Sequence, residues 1–175
     1  MIPRTLADEL IGTLKAYPSV TLTGPRQAGK TTLAKWCCPE FSYASLEDPE
    51  TRLLAESDPT TFFDKFPEPL IIDEVQRVPD IVSSIQVRID QDRKRNGRFL
   101  LTGSHQPRLH ETVSQSLAGR TAILNLMPLS VQEALSCHPD MTTDEMLLNG
   151  FMPEIHDSRK DPTTFYRNYY KTYVE

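Results

Sequence analysis

Residues 24–31 read Gly24-Pro25-Arg26-Gln27-Ala28-Gly29-Lys30-Thr31, a G-x-x-x-x-G-K-T octapeptide entered directly from the apolar and β-branched run Val20-Thr21-Leu22-Thr23. Such a segment leaves few folds open. A run of that kind is extended, two glycines permit a tight reversal, and Leu33, Ala34 and Trp36 then continue a helical register until Cys38-Pro39 stops it. The unit is therefore strand, loop, helix. The four constrained positions of the octapeptide recur by accident in roughly one per cent of chains of this length, and the flanking strand and helix lower that further.

The loop also names its ligand class. A polyphosphate needs many donors at close range, and a backbone pinched at Gly24 and Gly29 lets N–H groups converge without side-chain obstruction. The helix starting around Ala28 to Lys30 directs its positive end at the same point, and Lys30 adds a full charge. The Thr31 hydroxyl is placed to ligate Mg²⁺. Residues 24–32, from Gly24 through Pro25, Arg26, Gln27, Ala28, Gly29, Lys30 and Thr31 to Thr32, form the expected nucleotide-binding segment. Arg26 is expected to be exposed, for a phosphate or a partner contact.

The rest of the chain extends the same pattern. Leu6, Leu10, Ile11 and Leu14 share a helical face, with Thr5 and Asp8 resembling a capping box. Phe41 to Leu46 and Leu70-Ile71-Ile72-Asp73 read as strands, the second fully buried. Asp58-Pro59 opens a helix, as does Pro79, after which Ile81, Val82, Ile85 and Ile89 fall on one face. Arg98 to Thr102 is a strand ending at Gly103-Ser104; a polar helix from His105 to Leu117 follows, then a strand from Ala122 to Leu126. Alternating strands and helices predict an α/β fold, a parallel sheet covered on both faces with its ligand at the carboxyl ends of the strands. Beyond Pro128 the texture changes to short helices at Ser130 to Leu135, Thr143 to Leu148 and after Asp161-Pro162. The expected organisation is a core over residues 1–128 and a helical extension over 129–175.

With 175 residues and 38% apolar content the chain can bury one real core but not two full domains. A formal charge of -5 gives no general signal for nucleic acid or an anionic membrane as partner. The one basic knot, Arg93-Lys94-Arg95 with Arg98, is expected to be a solvated helix end. Three cysteines, Cys37, Cys38 and Cys137, lack metal or redox spacing, and His105, His110, His138 and His156 form no ligand pair. No apolar stretch is long enough to cross a bilayer and nothing near Met1 resembles a signal peptide, so the expected location is cytoplasmic.

A second motif completes the chemistry. Leu70-Ile71-Ile72 ends in Asp73-Glu74, forty-odd residues after the loop, as a neighbouring strand requires. Asp73 offers a hard oxygen to Mg²⁺ together with Thr31, and Glu74 lies just past the strand, free to polarise a water. The alternatives are a turn residue for Asp73 and a surface carboxylate for Glu74. Small-molecule kinases with this loop commonly lack the second acid and bring in a lid of arginines, so Glu74 favours hydrolysis. Ser104 would reach the γ-phosphate or the attacking water if its strand lies between those of the loop and Asp73, or else cap a helix. Arg120 enters the last strand and is a candidate phosphate sensor in its own subunit or a neighbour.

Together these residues resemble the prokaryotic AAA-type ATPases of the AAA_14 group, which usually continue into a domain called DUF4143. The resemblance rests on residues 22–33, on Ser45-Leu46-Glu47-Asp48 and on Ile72-Asp73-Glu74-Val75-Gln76. It continues through Leu101-Thr102-Gly103-Ser104, Ser116-Leu117-Ala118-Gly119-Arg120 and Met127-Pro128-Leu129-Ser130 with Glu133. It implies a P-loop NTPase three-layer α/β/α sandwich with a five-stranded sheet in the order 5-1-4-3-2. It also implies Lys30, Thr31, Asp73 and Glu74 as the Walker A and Walker B residues, Ser104 as sensor, and ATP with Mg²⁺ as cofactors. The expected catalytic set is Lys30, Glu74, Ser104 and Arg120. Gly150-Phe151-Met152-Pro153-Glu154-Ile155 is similar to the segment preceding the family's C-terminal domain, and on that basis the chain is expected to be truncated. Hydrolysis of ATP is the expected activity; a nucleotide-dependent switch with negligible turnover is the alternative. Phe165, Tyr166, Tyr169, Tyr170 and Tyr173 form an aromatic stripe suited to a homo-oligomer or partner protein, or to this domain's own core.

Overall fold

The computed structural model describes residues 2–104, 113, 115–158 and 160–173. Five strands, β1 (Ser19–Gly24), β2 (Ser42–Ser45), β3 (Leu70–Asp73), β4 (Phe99–Ser104) and β5 (Thr121–Asn125), pair in parallel in the order β2-β3-β4-β1-β5. This is the expected 5-1-4-3-2 sheet. Every residue of β1, β3 and β4 is buried, which explains why Leu70-Ile71-Ile72 and Phe99-Leu100-Leu101 read as continuous rather than alternating apolar runs, whereas β1 alternates Val20 and Leu22 with buried Ser19, Thr21 and Thr23.

Alternate residues of these strands serve opposite layers. Leu70, Ile72, Phe99 and Leu101 pack under α3 (Pro49–Ser57), α4 (Pro59–Lys65) and α5 (Ile81–Gln91). Ile71, Leu100, Val20 and Leu22 face α1 (Leu6–Ala16) and α2 (Lys30–Cys37). Each fully buried aliphatic side chain contributes about 1.5–3 kcal/mol, so both layers are needed to hold the sheet. The polar residues of β1 bond sideways: Ser19 Oγ donates to Arg120 O at 3.1 Å, and Thr23 Oγ1 donates to Leu124 O at 3.2 Å.

Local departures have identifiable causes. Thr5 does not cap α1; its backbone N and its hydroxyl both donate to Glu133 Oε1, at 2.7 and 3.1 Å. Helix α3 is an addition to the sequence reading: Asp48 accepts from Thr51 N at 2.9 Å and Pro49 follows, but only Thr51 and Ala55 are buried, so periodicity carried little signal. Arg98 corrects the solvated-knot expectation. Arg93, Lys94 and Arg95 are exposed, whereas Arg98 is buried and grips Glu68 through Nε at 2.6 Å and a terminal nitrogen at 3.0 Å. Most of the expected helix from His105 to Leu117, with His105 and His110, lies outside the described residues.

After β5 come α6 (Val131–Cys137), α7 (Thr143–Asn149), α8 (Pro153–Ser158) and α9 (Pro162–Tyr173). Phe165 is buried against Met152 and Ile155 in a small cluster apart from the two sheet layers, with Tyr166 and Tyr169 packed on it. Tyr170 is exposed, and the side chain of Tyr173 lies outside the described ones. Among the described residues no helix is long and apolar enough to cross a membrane.

Candidate functional site

β1, an interior strand between β4 and β5, delivers the loop to the sheet's carboxyl edge. Gly24, its last residue, has φ 150°, and a Cβ there would meet Leu126 O at 2.1 Å, so the close passage of the β5 exit admits only glycine. Gln27 (φ 60°) and Gly29 (φ 92°) both lie in the left-handed region, and Gly29 is the N-cap of α2. A non-glycine residue in that region costs energy, and such strain gathers where a backbone must present its N–H groups to a ligand.

Lys30, 5% exposed, donates from Nζ to Gly24 O at 3.1 Å and Pro25 O at 2.8 Å. Burial pushes its ammonium pKa below the ordinary lysine value, against the attraction of Glu74 and Asp73, while Arg26 pushes in the same direction as burial. A phosphate group offered to this loop would compete with two neutral carbonyls for a cation already stripped of water.

β3 brings the acids and β4 the hydroxyls of Thr102 and Ser104. Thr31 Oγ1 lies 3.0 Å from each carboxylate oxygen of Asp73. Tyr43 OH donates to Asp73 Oδ2 at 2.8 Å, and the Thr102 hydroxyl donates to Oδ1. Burial, followed by that bond to Asp73, raises the Tyr43 phenol to about 12. Tyr43 and Thr102 were not singled out from sequence; only their places on β2 and β4, flanking β3, reveal them. Two hard oxygens 3.0 Å apart match neighbouring vertices of a Mg²⁺ octahedron, whose edges are about 3 Å for bonds of about 2.1 Å. The donor set of Thr31 and Asp73 therefore fits the ion. Among the described residues no group of three or more His, Cys, Asp or Glu side chains forms a separate metal site.

Glu74 caps a short 3₁₀ turn, Val75–Arg77, from a left-handed conformation (φ 57°). Its backbone N donates to Thr102 Oγ1 at 3.3 Å, and its Oε2 receives the Gln76 side-chain amide and Ser104 Oγ, the latter at 3.4 Å. β4 does lie between β3 and β1, which brings Ser104 to Glu74. Glu74, Lys30 and Thr31 line one cavity of about 630 Å³, within the range of small-ligand sites. Its other walls are Arg4, Trp36 and, from α8, Pro153, Glu154 and Asp157.

Arg120 is not brought there. It precedes β5, at the amino edge of the sheet, about 17 Å of strand from the loop. It holds Asp90 with two bonds of 2.9 and 2.8 Å. Its guanidinium does not share the cavity with Lys30.

A parallel sheet in this order, with a G-x-x-x-x-G-K-T loop after the interior strand β1 and an acidic pair where β3 ends, is the fold of a P-loop ATPase. The chain belongs to the AAA_14 family, an AAA domain, whose pattern matches residues 16–135. Proteins of Mycobacterium bovis and Mycobacterium tuberculosis, both described as uncharacterized, are 33% identical over 177 residues. The match covers 98% of this chain and 38% of each relative, so the chain spans well under half the length of the curated relatives it matches. Among solved structures it is similar to a Walker-type ATPase of Pyrococcus abyssi, with a TM-score of 0.63 and 16% identity over 89% of this chain and 65% of that one. The RuvB Holliday junction branch migration motor of Thermotoga maritima gives a TM-score of 0.53 and 22% identity over 89% of this chain and 59% of that one. At these identities the likeness establishes the fold.

Proposed function

We propose that this chain binds ATP with Mg²⁺ and hydrolyses it. The observation that carries the reading is the convergence of Lys30, Thr31, Asp73, Glu74 and Ser104 at one edge of the sheet, three of them lining one cavity. In this reading the backbone of residues 24–32 cradles the phosphates and Lys30 exchanges the carbonyls of Gly24 and Pro25 for phosphate oxygens. Thr31 and Asp73 hold Mg²⁺, which when bound supplies charge neutralisation on the phosphates. Glu74 accepts a proton from the attacking water and Ser104 orients it. Arg120 can touch a nucleotide only from a neighbouring subunit, given its place at the far edge. Residues 1–128 make the catalytic core, and 129–175 an extension that closes one wall of the cavity through α8. A cytoplasmic location accords with this reading.

The test is phosphate release and nucleotide binding by the purified chain. Glu74→Gln is expected to retain binding and to slow turnover by about 10² or more; turnover at the wild-type rate would remove Glu74 from the mechanism. A second reading, a nucleotide-dependent switch without appreciable turnover, draws on one contact: Tyr169 OH of α9 donates to Arg26 O in the loop at 3.4 Å. Tight binding with no phosphate release would favour it.

A further inference from the structure

Resting on the hydrolytic reading, we propose that Gln76 is the positioning residue that sets the direction of the Glu74 carboxylate. Both residues lie in one sharp reversal. β3 ends at Asp73, Glu74 takes its left-handed turn, and Arg77 N closes the 3₁₀ turn by donating to Glu74 O at 2.9 Å. Val75 and Val78, 0% and 3% exposed, anchor that turn in the sheet layer under α5. Gln76 between them therefore has a fixed origin.

From that origin its side-chain nitrogen makes two contacts, one to Glu74 Oε2 and one of 3.4 Å to Ser104 Oγ. Ser104 Oγ in turn lies 3.4 Å from the same Glu74 oxygen. Glu74, Gln76 and Ser104 close a ring that joins the end of β3 to the end of β4. Chemistry fixes the amide's orientation: turned over, its carbonyl would face a carboxylate, two acceptors in contact. In the orientation adopted, Gln76 Oε1 is buried and, among the described residues, has no hydrogen-bond partner. A buried bare acceptor is unfavourable, and proteins keep such a group mainly where function needs its other end.

The consequence is directional. Among the described residues both side-chain donors to Glu74 converge on Oε2, so Oε1 keeps its lone pairs for the cavity that Glu74 lines beside Lys30 and Thr31. A general base must be aimed before it can act, and a misplacement of about 1 Å can cost about 10² in rate. Gln76 supplies the aim without touching the nucleotide, and its tie to Ser104 makes the two positions move together.

The discriminating variant is Gln76→Met, which keeps length and volume and removes the donor. The expected result is a kcat about ten- to a hundredfold lower with KM and nucleotide affinity within twofold of wild type. Gln76→Glu, isosteric but without the N–H, is expected to lose as much. Wild-type kcat in Gln76→Met, or an increase, would overturn the proposal; an increase would mean that the amide restrains Glu74 rather than aims it. A second readout does not depend on turnover. In wild type the Gln76 side-chain NH₂ protons are expected to be shifted downfield and to exchange slowly by NMR, and in Glu74→Ala to lose both properties. Unchanged amide resonances in Glu74→Ala would overturn the tie itself. If the wild-type chain releases no phosphate at all, the hydrolytic reading fails, and the amide signature still decides whether Gln76 holds Glu74.

Discussion

Two cations are buried almost equally in this molecule, Lys30 at the carboxyl edge of the sheet and Arg98 at the amino edge, at 5% and 6% exposure. Arg98 is fully compensated. Glu68 takes it in a two-pronged ion pair, the carbonyl of Arg88 accepts another of its N–H groups at 2.8 Å, and Arg88 and Arg95 stand 3.9 Å from the same carboxylate. Lys30 has only the two carbonyls of its own loop and, among the described residues, no paired carboxylate. On the proposed function, the difference separates a charge that holds the fold from a charge held ready for a ligand. The backbone agrees: among the described residues the two non-glycine residues with left-handed backbone, Gln27 and Glu74, both lie at the Lys30 edge.

The sharpest way to break this contrast is to remove one partner at each edge. Glu68→Ala leaves Arg98 buried and unpaired, with two further arginines nearby. It is expected to lower unfolding stability by about 3–5 kcal/mol in urea titrations, a large fraction of the roughly 5–15 kcal/mol typical of a domain. Nucleotide affinity of the molecules that remain folded should be unchanged. A loss under about 1 kcal/mol would show that Arg98 is solvated after all, as its neighbours Arg93 and Lys94 are.

That contrast also marks what sequence can and cannot carry. The loop and Asp73-Glu74 were legible because their chemistry is local: glycines where the backbone must turn, and acids where an apolar strand stops. Sheet order came through the family resemblance, and the structure agrees with it. Arg98 was misread because its partner lies thirty residues away and its neighbours are basic. Tyr43 and Thr102 gave no signal, since a hydroxyl on a strand gains meaning only when the adjacent strand presents a carboxylate. Arg120 shows the same limit, because a residue flanking a strand does not declare which end of the sheet it will occupy.

At the other edge, Lys30→Met is expected to weaken ATP binding about tenfold or more, the loss of a charge-assisted contact of about 1.5–3 kcal/mol. Stability should change by less than about 1 kcal/mol, because the removed charge lacked a paired carboxylate. The pH dependence gives a further check. The folded-state pKa of Lys30 is depressed, so between that value and the ordinary lysine value the unfolded chain binds more protons. Wild type is expected to gain stability relative to Lys30→Met as pH rises through the folded pKa. Melting curves collected from neutral to alkaline pH measure the difference, and parallel curves would refute the burial account. Unchanged ATP affinity by calorimetry would sink the ligand role.

Arg4 and Glu133 stand between these cases. Their side chains are 8% and 6% exposed and 3.3 Å apart, a buried pair like that of Arg98, yet Arg4 also donates to Ala28 O inside the loop at 2.8 Å. Burial pushes the Glu133 carboxyl up, but bonds from the Ser130 and Thr5 backbones and the Arg4 charge outweigh it and hold the pKa below the ordinary carboxylate value. With the folded pKa depressed, this stabilisation is complete above the ordinary carboxylate pKa and is lost as pH falls through the folded value. Glu133→Gln should therefore flatten the acid limb of a plot of melting temperature against pH. If the pair is purely structural, nucleotide affinity will be the same in both proteins at neutral pH. A weaker affinity in Glu133→Gln would instead place Arg4 with Lys30, as a charge whose anchoring sets the shape of the loop.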